Sequence, residues 1–284
     1  MKTMILLFLL LIGEMTVFAQ AADDTHHKHK ATPPWYVDRF RISAGFFIPF
    51  NHTSISVGNT AGTRGTEISF ENTLGYNTAS YTFLGDFQWR AGRRSRFDLG
   101  YYRIQRNSAH VLDRDVTFGD HTYPVDAGVT SFFNTDIYRF SYGYALLSKP
   151  KAEAGIMIGA HIIKVDVGLA GYANSAGFAA SDSYGFTAPL PDIGIWGGYA
   201  FAPRWAVTGE VSYFSLNIDN IDGRIIAANV QVMYRVVQRL SVTAGYTGFN
   251  FKVDATKKNL VGHLVWGFNG PSMSATWSFG NKPW

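Results

Sequence analysis

Two-residue alternation of aromatic and charged side chains recurs along nearly the whole chain and constrains it more than any other feature. Residues 81–90, YTFLGDFQWR, show it plainly: Tyr81, Phe83, Phe87 and Trp89 share one parity, Thr82, Asp86, Gln88 and Arg90 the other. A strand sends successive side chains to opposite faces, so this segment has an aromatic face and a charged face. In a soluble sandwich the charged face looks outward. In a barrel immersed in lipid the assignment inverts, with aromatics towards the acyl chains and charges towards the lumen. Composition favours the second solution. Gly (29 residues) and aromatics (15%) are abundant, and apolar surface is dispersed over alternate positions. Beyond the N-terminal leader no apolar run is long enough to cross a bilayer as a helix.

The leader has its own pattern. Lys2 precedes an apolar run at residues 4–12, and Ala19-Gln20-Ala21 has the small-x-small form of a signal-peptidase site. Residues 1–21 therefore read as a cleaved signal peptide, the apolar run being too short to anchor the chain as a helix. Residues 22–34 carry His26, His27, Lys28, His29 and Lys30 and read as a solvated, disordered tail. A metal tract is the other reading of such histidines, but no ligand spacing on a rigid element supports it. Residues 35–284 read as one domain. The absence of cysteine excludes disulfides, thiolate metal sites and cysteine nucleophiles. A net charge of +4 without a Lys/Arg cluster gives no footprint for nucleic acid.

Turn chemistry sets the strand count. Ala91-Gly92-Arg93-Arg94, Ser148-Lys149-Pro150-Lys151, Ala202-Pro203-Arg204 and Val237-Gln238-Arg239 are short, mostly basic turns recurring at every second connection. The connections at 51–77, 107–130 and 172–184 are longer. Short turns at one end and long loops at the other are the asymmetry of an outer-membrane barrel, short turns periplasmic. Strands are expected at 40–48, 81–90, 97–106, 132–147, 153–172, 192–201, 205–218, 225–236, 240–253 and 260–279, an antiparallel up-and-down transmembrane β-barrel of about ten strands. Asn269-Gly270-Pro271 leaves twelve open. As a hairpin turn it splits the last strand and makes 66–71 another; as a bulge it leaves one long strand.

With the aromatic parity outward, the lumen receives Arg39, Arg41, Asp86, Gln88, Arg90, Arg96, Asp98, Arg139, Glu210, Asn229, Gln231 and Arg235. Lys164 and Asp166 join them, alternating with Ile163, Val165 and Val167 on the lipid face. An unpaired ion on the lipid face is unfavourable, and charges of both signs can pair across strands. At ten strands side chains nearly fill the lumen, which favours a structural ion-pair network over an open eyelet. If water does pass, the surplus of arginine over acid predicts a preference for anions.

Local catalytic motifs are lacking: there is no Gly-x-Ser-x-Gly elbow and no His-Glu-x-x-His. His52, His110 and His121 fall in expected loops, His161 shares the face of Val165 and Val167, and His263 falls on the expected inner face. No catalytic, cofactor or metal residue is assigned.

The last strand, ending Ala275-Thr276-Trp277-Ser278-Phe279, completes a pattern that resembles the porin-like outer-membrane β-barrel families of Gram-negative bacteria. Gly65-Thr66-Glu67-Ile68-Ser69-Phe70-Glu71-Asn72-Thr73-Leu74-Gly75, Leu99-Gly100-Tyr101-Tyr102-Arg103-Ile104 and Asp113-Arg114-Asp115-Val116-Thr117-Phe118-Gly119-Asp120 are similar to a set of uncharacterised outer-membrane barrels. In those relatives acids are common where Asn72 and Thr73 stand. The resemblance implies the outer membrane as location, its lipid as surroundings, and a C-terminal aromatic, Phe279 or Trp284, read by barrel-assembly machinery. It leaves three functions: a porin-like or structural barrel, with a narrow passage for small solutes; a surface-binding barrel using its extracellular loops; and a lipid or peptide hydrolase.

Overall fold

The computed structural model describes residues 32–58, 65–173, 177–218, 221–257 and 260–280. The expected signal peptide and all but the last three residues of the tail lie outside the described residues. In chain order the elements are β1 (Phe40–Phe47), β2 (Phe50–Val57), β3 (Ile68–Ser69), α1 (Phe70–Thr73), β4 (Thr82–Arg90), β5 (Ser95–Val111), β6 (Val116–Phe118) and β7 (His121–Tyr123). There follow β8 (Gly128–Ser148), β9 (Ala152–Ala173), β10 (Phe178–Ala202), β11 (Trp205–Ile218), β12 (Ile221–Val237), β13 (Leu240–Lys257) and β14 (Leu260–Phe279).

Every neighbouring pair is antiparallel, and β1 closes on β14. β1 and β2 are two halves of one stave, both lying along β14, and β3 stands off the wall on β2, so the barrel has ten staves. Closure leaves no free sheet edge around the lower ring.

The Asn-Gly pair is not a hairpin. β14 runs through it with unbroken register against β13, Gly248 opposite Asn269 and Thr247 opposite Gly270. It is not a bulge either. On the other side the ladder passes from Phe47–Ser272 to Phe50–Asn269, leaving Ile48 and Pro49 opposite Pro271 and Gly270. Two prolines remove ladder donors there. Ile48 N still donates to Pro271 O at 3.0 Å. A Cβ on Gly270 would lie 2.0 Å from the Ile48 carbonyl oxygen, so the glycine permits backbone approach rather than a turn. The twelve-strand alternative falls with that hairpin.

The expected long loops are shorter than their sequence ranges. Residues 51–57 continue the first stave as β2, β5 reaches Val111, and β9 and β10 pair as far as Ala173 and Phe178. Pairing satisfies these backbone groups wherever the strand goes, so strands rise past the lipid without breaking. β4 is the exception, ending at Thr82 while β2 and β5 continue above it. β3 and α1 occupy that gap.

Rising past the lipid reverses the side-chain rule. On β8, Tyr138, Phe140, Tyr144 and Leu146 are exposed outward, whereas the same parity higher up carries Thr130, Asn134 and Asp136. The inward parity there is Val129, Phe133 and Ile137, all buried. β9 repeats this: Ile156, Ile158 and Ile162 face out, then Lys164 and Asp166. Ile163, Val165 and Val167 are buried inside, which corrects the expected inward placement of Lys164 and Asp166. His263 is corrected for the same reason, lying outward beside Asp254, with which it pairs. The lower half obeys lipid, the upper half water.

The lower half gives a direct test of facing. Val232 is exposed and Gln231 lines the lumen. Val232→Arg is expected to cost about 2–4 kcal/mol on refolding into lipid vesicles, and Gln231→Ser much less. Equal losses at the two positions would reject the assignment.

Candidate functional site

The lumen of the membrane half holds a polar chamber of about 240 Å³. Of the residues expected in the lumen, Arg41, Asp86, Gln88, Arg90, Arg96, Asp98, Arg139, Glu210, Asn229 and Gln231 line it. Arg39 and Arg235 stand at its periplasmic end; Arg235 donates to Pro203 O at 2.7 Å and lies over the Trp35 ring. Lys164 and Asp166 are outside it. Glu153, His161 and Trp196, on the inward parity of β9 and β10, also line it, with Asp192 buried beside His161; the sequence reading did not include these four.

These side chains brace opposite walls. Glu153 on β9 accepts from both terminal nitrogens of Arg90 on β4 at 2.6 Å each, and from Arg93 at 3.3 Å. Arg96 on β5 reaches Asp98 at 3.1 Å and, across the lumen, Glu210 on β11 at 3.3 Å. Arg139 on β8 pairs with the other oxygen of Glu210. The Arg96 guanidinium also stacks 3.8 Å above the Trp196 ring. Gln88 donates to Asp98 at 2.6 Å, and Asn229 to Thr247 at 2.7 Å. Charges taken out of water survive when paired and hydrogen-bonded in this way.

The charge balance differs from the sequence reading. The chamber wall holds four arginines, Arg41, Arg90, Arg96 and Arg139, and four acids, Asp86, Asp98, Glu153 and Glu210. Glu153 joins, Lys164 leaves, and the wall is formally neutral. The expected anion preference loses its basis.

Both ends of the chamber are filled. At the periplasmic end Tyr36 and Val37 are buried against Ala200, Ala206 and Met233. The Tyr36 hydroxyl fits where a Cβ on Gly198 would be 2.7 Å away. Burial, then the Glu153 carboxylate, hold that phenol above its usual pKa range. Above the chamber, rings from separate staves meet: Phe133 with Trp266 at 5.5 Å, Phe249 with Trp266 at 5.7 Å, Phe47 with Phe268 at 5.4 Å and Phe70 of α1 with Phe133 at 5.4 Å. His161 on β9 lies 5.9 Å from Phe249 on β13, almost opposite around the ring. It also shares a buried hydrogen bond of 2.7 Å with Asp192.

The extracellular mouth is capped by folded chain. Arg106 donates to Thr53 at 2.8 Å, Glu71 at 2.7 Å and the Asn77 carbonyl at 3.0 Å, tying α1 into the gap above β4. Arg114 donates to Thr73 Oγ1 at 3.3 Å. The β6–β7 hairpin is held by Tyr123, which donates to the Leu169 carbonyl at 2.9 Å and to Asp182 at 3.0 Å, and by His121 beside the same carboxylate at 2.8 Å.

Neither a family model nor a curated protein sequence matches the chain. Among solved structures it is similar to the outer membrane protease OmpT from Escherichia coli, at 13% identity over 86% of this chain and 100% of that one, with a TM-score of 0.55. A toluene transporter, TodX from Pseudomonas putida, shares 10% identity over 86% of this chain and 90% of its own, with a TM-score of 0.33. The translocator domain of the autotransporter NalP from Neisseria meningitidis shares 10% identity over 98% of both chains, with a TM-score of 0.35. The likeness is one of fold. With the closed ten-stave wall and its outward apolar belt, the likeness to OmpT gives the protein the fold of a transmembrane β-barrel of the outer-membrane type.

Proposed function

We propose that this is a closed, non-conducting structural barrel, not an enzyme, whose rigid wall presents a folded extracellular cap. The observation that carries the reading is the crossing of the lumen at three levels: Tyr36–Val37 below, the Arg96–Glu210–Arg139 brace in the middle, the Trp266 ring cluster above. Each of the three layers is apolar and buried or ion-paired, so an ion crossing must break buried pairs or enter an apolar core, both costly. The His161–Asp192 pair sits within this filling rather than in an open groove. A surface-binding role is favoured by one further feature: α1 and the β6–β7 hairpin carry their own buried residues, Phe70, Leu74, Val116, Phe118 and Tyr123, and so hold a fixed shape for a partner to meet. The proposed partners are outer-membrane lipid around the belt and the assembly machinery that closes β14 on β1.

Planar-bilayer recording tests the reading. The refolded wild-type protein is expected to give no stepwise conductance, and Tyr36→Ala none either, since the ring cluster remains. Regular steps from the wild type would replace the structural reading with a porin-like one.

A further inference from the structure

We propose that the lumenal chamber is a binding site for one small zwitterion, a molecule of amino-acid size bearing a carboxylate and an ammonium group, entering from the periplasm. Most lumenal charges are committed to one another, as in the Glu153 and Glu210 clusters. Two are not. Among the described residues Arg41 has no carboxylate at ion-pair distance and reaches only the Met233 sulfur, at 3.9 Å. Asp86 has no hydrogen bond or ion pair among the described residues, and it too lines the chamber.

These two groups sit on neighbouring staves and the same face. Arg41 is opposite Gln88 and Ser43 is opposite Asp86, so Arg41 and Asp86 are diagonal neighbours with Cβ atoms ~7 Å apart. They attract each other without touching, and the space in front of both is the chamber. Gln88 Oε1 on the same wall and Thr208 Oγ1 on β11, across the chamber, are buried without a partner among the described residues. Opposite charges left apart in an enclosed site cost free energy that a bridging molecule recovers. A solute with one charge of each sign meets both, its carboxylate on Arg41 and its ammonium on Asp86. A pure anion or cation meets one and leaves the other exposed to a formally neutral wall.

Size and access fit the same class. The chamber of about 240 Å³ has room for about eight waters at ~30 Å³ each, or for one solute of that bulk. The aromatic layer above closes the extracellular side. Below, Tyr36 is the plug, and it belongs to the segment before β1 rather than to the wall. Displacing that segment opens the chamber to the periplasm and leaves the aromatic layer shut, so binding does not require conduction.

The test is calorimetry at pH 8 on refolded, detergent-solubilised protein with L-alanine, propionate and ethylammonium, three molecules of similar shape with both charges or one. L-alanine should bind, and propionate and ethylammonium should bind about tenfold or more weaker, each lacking one charged contact. Arg41→Gln and Asp86→Asn should each weaken L-alanine by a similar factor, while the variants keep the heat-shifted gel mobility of a folded barrel. Asp86→Glu should retain part of the affinity. Tyr36→Ala should speed association without changing the order of preference. Absence of L-alanine binding to both wild type and Tyr36→Ala overturns the proposal. So does equal binding of propionate, or unchanged affinity in folded Arg41→Gln and Asp86→Asn.

Discussion

Glu153→Gln is expected to lower stability by about 3–5 kcal/mol, the largest effect of any single polar change in the lumen. Its carboxylate is fully buried and accepts two short bonds from Arg90 and one from Arg93. Glutamine keeps the shape and one acceptor oxygen but removes the charge, which strands two guanidinium groups in a space with little water to solvate them. The loss should appear in urea-driven unfolding from lipid vesicles. Replacing Glu153 by Leu and Arg90 by Met together should recover much of it, because a buried pair exchanged for apolar volume is often near neutral. A loss below about 1 kcal/mol for Glu153→Gln would mean that the pair does not brace β4 to β9.

Trp266→Ala should cost a comparable ~3–5 kcal/mol by another route, the cavity it leaves. Trp266 is completely buried and touches the rings of Phe133, Phe249 and Phe268. Its indole nitrogen is buried without a partner, so the residue contributes volume rather than a hydrogen bond. Trp266→Phe should therefore cost far less, within about 1.5 kcal/mol if the neighbouring rings repack. Comparable destabilisation by Phe and Ala would point to the indole nitrogen and away from ring packing.

Much of the wall was legible because turns are written in chemistry. Arg93-Arg94, Pro150, Pro203 and Gln238-Arg239 mark four of the short turns, and the structure bends at each. Parity was legible too: Asp86, Gln88 and Arg90 share a face, as do Phe83, Phe87 and Trp89. What alternation does not say is which face is inside. Around Lys164 the parity was right and the solvent wrong, since the strand had already left the lipid. Asn269-Gly270 was ambiguous because a glycine for close approach and a glycine for a tight turn look alike in sequence. Glu153 was missed because it adjoins a basic turn that reads as solvated. Its parity with His161 was the available signal. Tyr36 carried no signal at all, a plug being defined by the hole it enters.

A stave that switches from lipid rules to water rules along its length fixes the protein's depth. The apolar outward run of β8, Tyr138 to Leu146, covers about 27 Å along the strand and roughly 20 Å along the membrane normal at a tilt near 40°. Sliding outward would lift Tyr138 and Phe140 into water and draw the turn after Ser148 towards hydrocarbon; sliding inward would drag Asp136 and Lys164 into hydrocarbon. A simple apolar cylinder can shift or tilt to suit its bilayer, but this one is indexed at both rims. The lipid must deform to meet it, so insertion yield should peak sharply with acyl-chain length and decline on both sides, the mismatch being borne by the membrane.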